Sequence, residues 1–421
     1  MSPVVTKSPP TLVPPASPTP TSTLLLPLSS IYRAANARVS VEFIQVFSRG
    51  GDGGAVAAIR EGFARALVPY FPVAGRIVES VPGEPMVECS GDGIWFVEAE
   101  ADCALDDVNQ LERPLMIPRE ELLPRPPPEV KLEEAILMAQ VTVFKCGGIA
   151  VGICFSHLVF DGQGAAQFMK AVGEMARGLP EPSVAPVWSR NAIPDPPKIP
   201  RGGPPPAFTA FNFVTSVIEI SSESINRTKN DFAAATGDKC STFDVVTAML
   251  YKCRAKAINL PPSAKVHLSI TASTRHLLHG MLPSVEGYYG NCVYPVVITR
   301  TSEEIDNASI IEIVAMIRDA KEALSTQFVD WINGGTKCNH YNMPLDYGTV
   351  ALSDWSRLGF NEVDYGWGEP SYVFTLNDDA NVIAFAIYLK PPAPKQGIRL
   401  MLRCVEEEHS ALLCDELLKL A

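Results

Sequence analysis

The chain carries six histidines, at 157, 267, 276, 279, 340 and 409, few enough for each to be weighed as a proton carrier or ligand. His157 follows the apolar run Ile149-Ala150-Val151-Gly152-Ile153-Cys154-Phe155, which predicts a strand. Phe160-Asp161-Gly162 then opens a turn into a helix over 163–176. A strand end leading into a loop is where scaffolds display catalytic groups, and a neutral imidazole there can take a proton from a hydroxyl or amine near pH 7. On residue physics alone, a histidine simply hydrogen-bonded at a strand end fits equally well. His276 and His279 form H-x-x-H in a loop bounded by Gly and Pro, without a third ligand at a useful spacing, so no metal site is expected. The other three histidines give no signal.

A second cluster, Asp364-Tyr365-Gly366-Trp367-Gly368, places two glycines around a tryptophan. That suits a tight backbone corner pinning a large ring. Other chemistries lack their marks. There is no G-x-S-x-G elbow and no Walker loop, and Gly162-Gln163-Gly164 fails the dinucleotide fingerprint because Gln167 stands at the third glycine position. Ten cysteines are scattered singly with no C-x-x-C pair, a pattern of free thiols in a reducing compartment.

The elements that must position these residues fit a chain of 421 residues, long enough for two domains. Apolar residues make up 47% of it, which supports globular cores, and the net charge of −12 removes the broad attraction for nucleic acid or anionic membrane. No apolar run spans a bilayer, and the proline-broken start is unlike a signal peptide, so the cytosol is the expected compartment. The first 22 residues, rich in Pro, Ser and Thr, read as an extended tail, with the fold starting near Leu24. Val56, Ile59, Phe63 and Leu67 mark a helix ending before Pro69, and 136–144 and 148–155 read as paired strands. Ten prolines between Pro180 and Pro206 bar helix and central strand and imply a stiff crossover. Beyond it, strands near 216–220, 266–270, 294–298, 372–376, 382–388 and 397–404 alternate with helices over 242–256, 310–324 and 410–420. The expectation is two similar-sized mixed α/β domains, 1–187 and 207–421, joined by a linker over 188–206.

Five segments in order then point to a family. His157-Leu158-Val159-Phe160-Asp161-Gly162 resembles the HxxxDG signature of the plant BAHD acyltransferases, and Asp364 to Gly368 resembles their DFGWG motif with Tyr for Phe. Tyr70 to Arg76, Ser241 to Val245 and Gly287-Tyr288-Tyr289-Gly290-Asn291 fit as well. The resemblance spans nearly the whole chain. It departs at Tyr365, which keeps an aromatic ring, and at Tyr32, which stands where an early element often has Asp. Condensation-type enzymes of similar architecture carry a second histidine before the base, whereas here that position is Ser156.

The resemblance implies a chloramphenicol acetyltransferase-like fold with a channel between the domains. It implies acyl transfer from acyl-CoA, the co-substrate, to a hydroxyl or amine of a plant specialised metabolite, with no bound metal, no permanent cofactor and no acyl-enzyme. His157 is then the general base. Trp355, in Ser353-Asp354-Trp355, is a candidate N–H donor to the oxyanion, or a packed ring. Asp161 is expected to pair with Arg275, and Asp364, Gly366 and Gly368 to be architectural. Ser241 and Thr242, opening a helix, offer hydroxyls for a CoA phosphate or a plain cap, while Lys252 and Arg254 are either cations for that phosphate or solvent-facing side chains. Phe43, Phe160, Tyr289 and Phe374 are either an aromatic acyl pocket or core. The branch resembled points to a benzoyl or hydroxycinnamoyl donor and a monomer working on small molecules. The competing expectations are an inactive binding member of the same fold and a condensation-type enzyme.

Overall fold

The computed structural model describes residues 3–20, 24–28, 38–50, 53–194, 209–335, 343–376 and 381–421. Most of the crossover and Tyr32 lie outside the described residues. The chain forms two compact units, and neither is one continuous stretch: the first takes Met1–Asp195, Leu278–Cys292 and Arg357–Asn377, the second Pro196–Leu277, Val293–Ser356 and Asp378–Ala421. The return of 278–292 and 357–377 to the first unit rests on contacts distant in sequence, such as the Cys292 N–H on Asp161 and the pairing of Tyr372–Thr375 with residues 43–46.

In the first unit the strands β1 (Val5–Lys7), β7 (Ile94–Ala101), β8 (Leu137–Phe144), β9 (Ile149–Ser156), β4 (Ser40–Phe47) and β14 (Tyr372–Thr375) lie in that order, and β2 (Thr11–Val13) also pairs with β7. The strands β8 and β9 are buried along nearly their whole length, which explains their continuous apolar runs. Helices α1 (Ala55–Ala66) and α2 (Gly162–Ala176) pack on one another. Gly62 permits this, since a Cβ there would meet the Val172 carbonyl oxygen at 2.6 Å. A small sheet of β3 (Leu25–Pro27), β6 (Glu84–Glu88) and β5 (Arg76–Val81) completes the unit. The expected start near Leu24 is corrected by β1 and β2. Proline bars helix but not an edge strand, and Pro9 and Pro10 fall between the two pairings with β7.

The second unit holds a six-stranded sheet in the order β10 (Phe213–Ser221), β16 (Gly397–Glu406), β15 (Ala384–Leu389), β13 (Thr349–Asp354), β11 (Lys265–Ser273) and β12 (Val293–Thr301). Its central helix, Thr242–Ile258 (α4), follows Ser222–Thr236 (α3) and is covered by Ile310–Glu322 (α6) and Glu407–Leu420 (α8); α5 (Ser302–Asn307) and α7 (Leu324–Ile332) complete the set. Both units are mixed α/β. Among the described residues no helix is long and apolar enough to cross a membrane.

Candidate active site

Strand β9 ends at Ser156, and His157 continues its pairing by one residue, donating its backbone N–H to Val39 at 2.9 Å. The chain then turns: Val159 N–H reaches the Ser156 carbonyl at 3.1 Å, and Leu158 N–H the Ser156 hydroxyl at 3.3 Å. Asp161 follows in extended geometry as the N-cap of α2, its Oδ1 accepting from Gly164 N–H at 2.8 Å. This satisfies a donor that every helix start leaves open. The other carboxylate oxygen, Oδ2, accepts from Cys292 N–H at 3.0 Å, 131 residues downstream. Asp161 is 1% exposed, so both bonds lie away from water.

That second bond fixes the segment carrying Gly287 to Cys292 against the histidine turn. Gly164 makes room for it, because a Cβ there would meet the Tyr289 carbonyl oxygen at 2.1 Å. Tyr289 packs on Phe160 and Tyr70, with ring centroids 5.8 and 4.9 Å apart. Gln167, the residue that broke the dinucleotide fingerprint, donates to Tyr70 Oη and the Gly287 carbonyl, both at 3.0 Å. Asn291 consequently sits on the His157 turn: its Nδ2 is 3.2 Å from His157 Nδ1 and 3.3 Å from the His157 carbonyl oxygen. The sequence reading used Asn291 only as part of a matching segment. No local signal marks it, since its partner is 134 residues away.

His157 keeps part of its surface open to solvent. Burial of the ring nevertheless lowers its pKa, against the opposing pull of its own carbonyl and the Asp161 charge. The lowered pKa favours the neutral ring over the imidazolium. A cavity of about 850 Å³ runs beside this strand end, lined by Ser156 and Leu158, the neighbours of His157 in the chain, with Ser40, Ile77, Met138 and Phe155.

The Asp364–Gly368 segment lies at the other end of α2. Arg177, just past that helix, sits 3.7 Å from the Asp364 carboxylate, and a Cβ on Gly173 would meet the Asp364 carbonyl at 2.6 Å. The 15 residues of α2 span about 22 Å from the histidine end to this one. Asp364 Oδ1 accepts from Gly366 and Gly368 N–H at 2.8 and 2.9 Å, and both glycines have positive φ, 124° and 104°. Burial pushes the Asp364 carboxyl up, but these donors and Arg177 together outweigh it and hold it below its usual range. Tyr365 is buried and gives its hydroxyl proton to Gln45 Oε1 at 2.9 Å, while Gln45 Nε2 donates to the Phe360 carbonyl at 2.8 Å. These contacts bind the corner to β4 and α2 of its own unit, not to the C-terminal half in which it was expected.

The remaining residues belong to the second unit. Arg275, 5% exposed, opens a short 3-10 turn after β11, and Trp355, 7% exposed, follows β13 with its backbone N–H on the Tyr388 carbonyl at 2.8 Å. Ser241 caps α4 in a reciprocal arrangement: its hydroxyl accepts from Asp244 N–H at 3.1 Å, and its own N–H donates to Asp244 Oδ2 at 2.8 Å. Thr242 Oγ1 accepts from Lys229 Nζ at 2.8 Å. Of the two alternatives for Lys252 and Arg254, solvent exposure does not describe either, since both side chains are engaged by backbone carbonyls. Lys252 donates to the Ile305, Asp306 and Ala308 carbonyls around the end of α5, and Arg254, 1% exposed, to the Cys404, Gly348 and Tyr347 carbonyls. Phe43, Phe160, Tyr289 and Phe374 are each at most 1% exposed and form core. Among the described residues no three His, Cys, Asp or Glu side chains gather as a metal site, and the nine described cysteines are free.

Comparison with known proteins agrees with this arrangement. A model of the Transferase family matches residues 4–410. The chain is 43% identical over 422 residues to acyl transferase 4 of Oryza sativa subsp. japonica, covering 96% of each. It is 41% identical over 428 residues to the myricetin 3-O-glucosyl 1,2-rhamnoside 6'-O-caffeoyltransferase AT1 of Crocosmia x crocosmiiflora, covering 97% of each. The structure of TRI101 from F. sporotrichioides, complexed with coenzyme A and T-2, shares the fold with a TM-score of 0.72 at 15% identity, over 93% of this chain and 97% of that one. With its histidine turn stapled by Asp161 and its glycine corner anchored by Asp364, the chain belongs to the Transferase family of BAHD acyltransferases and is an acyltransferase.

Proposed function

We propose that the protein transfers an acyl group, aromatic in kind, from acyl-CoA to a hydroxyl or amine of a small molecule by direct attack, with His157 as general base. The observation that carries this reading is an imidazole at a strand end, in a turn fastened by Asp161 to Cys292 and contacted by Asn291. As the acceptor's oxygen or nitrogen attacks the thioester carbonyl, its proton passes to the imidazole. Collapse of the tetrahedral intermediate breaks the C–S bond, and the departing thiolate takes that proton back from the imidazolium. Free thiol, ester or amide, and neutral base result. The oxyanion formed on the way needs fixed donors, a role we assign to the Trp355 indole N–H.

The caffeoyltransferase relative supports a hydroxycinnamoyl donor, and TRI101 with coenzyme A supports the thioester. The cavity beside His157 is of a size that ordinarily encloses a drug-sized molecule. For the CoA phosphates we assign Ser241 and Thr242, with the Lys229 ammonium at the Thr242 hydroxyl as a neighbouring cation. The test is His157→Ala assayed with p-coumaroyl-CoA and benzoyl-CoA by thiol release. Loss of about 10²–10⁴-fold in kcat with unchanged CoA affinity is expected, and wild-type protein should yield no acylated species without acceptor. Near-normal kcat in the variant, or a stable acyl-protein, would overturn the mechanism.

A further inference from the structure

Arg190 is 2% exposed, and a charge taken out of water is costly unless something compensates it. Its partners among the described residues are ring faces and carbonyls, not a carboxylate. The guanidinium carbon lies 4.1, 4.7 and 4.9 Å from the ring centroids of Trp188, Tyr289 and Tyr288. Nη1 donates to the Trp188 carbonyl at 3.3 Å, and Nη2 donates to the Val159 carbonyl at 2.9 Å. Val159 stands midway between His157 and Asp161 and has no exposed surface. Its N–H closes the histidine turn on the Ser156 carbonyl, so the arginine holds the next carbonyl along the same turn.

We propose that Arg190 is a positioning residue for the His157 base, its guanidinium holding the Val159 carbonyl so that the turn presents the imidazole in one place. This rests on His157 acting as the base.

The surrounding chain brings the arginine there. Val187 N–H donates to the Gly287 carbonyl at 2.8 Å, so the segment leading to Arg190 runs beside the one that Asp161 fastens through Cys292. Gly290 leaves room for the guanidinium, since a Cβ there would meet Nη1 at 2.0 Å. Between Trp188 and Arg190, Ser189 holds φ at +26°, a left-handed backbone that side chains rarely adopt. Strain of this kind persists only where the contacts around it impose it, and here the indole and the guanidinium on either side of Ser189 lie against each other. The planar fork suits the place, because it can stack on rings and still donate to carbonyls in fixed directions. For packing alone, an apolar side chain of similar volume would serve without burying a charge. What such a side chain lacks is a donor for the Val159 carbonyl.

The experiment compares wild type, Arg190→Ala, His157→Ala and the double variant by thiol release with p-coumaroyl-CoA, recording kcat, the KM of each substrate and Tm. Arg190→Ala should lower kcat by about 10–10²-fold, the scale of a misplaced catalytic group, with little change in either KM. Because the arginine acts through the imidazole, it should take nothing further from the residual rate of His157→Ala, whereas a general structural loss would lower both backgrounds by the same factor. The proposal is overturned if Arg190→Ala keeps wild-type kcat, or if its factor is the same with and without His157. Were Arg190→Ala not to fold, Arg190→Lys, which keeps the charge but not the fork, takes its place in the same comparison. If neither folds, the residue is structural and the proposal falls. Should His157→Ala stay active, the base assignment fails and takes the proposal with it. An inactive His157→Ala beside a wild-type rate in Arg190→Ala removes the proposal alone.

Discussion

Replacing Asp161 by alanine removes both ends of a staple, and the cost can be worked from its two bonds. The Oδ1 bond to Gly164 is the N-cap of α2, worth about 0.5–2 kcal/mol when deleted. The Oδ2 bond serves Cys292 N–H, on a residue with no exposed surface, and leaving such a donor unpaired costs about 1–3 kcal/mol. Together the loss should be about 1.5–5 kcal/mol. At roughly 2–4 °C per kcal/mol for a unit of this size, Tm should fall by about 3–20 °C in a calorimetric or fluorescence melt. Asp161→Asn should fall less, because its carbonyl oxygen can still cap Gly164 while its amide turns a donor toward Cys292 N–H. A Tm for Asp161→Ala within about 2 °C of wild type would refute the staple.

Because burial lowers the His157 pKa, the base stays unprotonated to lower pH than a free imidazole, and kcat/KM should hold its plateau below the usual imidazole value of about 6.5. An acid limb above that value would contradict the sign. Tyr365→Phe strips the hydroxyl from a buried pair and leaves Gln45 Oε1 without it. Stability should drop by about 1–3 kcal/mol with kcat unchanged, and a variant as stable as wild type would show the bond to be idle. Ser241→Ala/Thr242→Ala should raise the KM for acyl-CoA alone. An equal rise in the acceptor KM, or none in either, would return these hydroxyls to a purely capping role.

Where the sequence was readable, the reason is local. The two central strands and α2 bury continuous or periodic apolar runs, so their limits follow from residues within the same segment: the expected 136–144, 148–155 and 163–176 lie within one residue of those observed. Strand β4 escaped because Glu42 and Gln45 interrupt its apolar pattern, although both are buried. Their satisfaction comes from elsewhere in the chain: Arg119 and Arg125 pair with Glu42, and Tyr365 and Phe360 with Gln45. Helix α3 escaped for the opposite reason. Only Ser224, Ile225 and Phe232 are buried in its 15 residues, too few to leave a period.

The site divides along the same line. His157 announced itself through a strand end and a turn, both readable within a dozen residues. What holds it could not be read that way, because the bonds from Asp161 to Cys292 and from Asn291 to His157 cross 131 and 134 positions. Those bonds also reassign the small residues around the histidine. Gly164 looked like part of a failed nucleotide motif, yet the atom that requires it is the Tyr289 carbonyl, which would come within 2.1 Å of any Cβ there. One chain of cause then runs through the turn. A glycine lets the distant segment approach, an aspartate fastens its backbone, and the fastened backbone delivers an asparagine to the edge of the imidazole. Cutting it at the glycine, the aspartate or the asparagine should therefore disturb the surroundings of the same imidazole, while only the first two should also unfasten the two segments from each other.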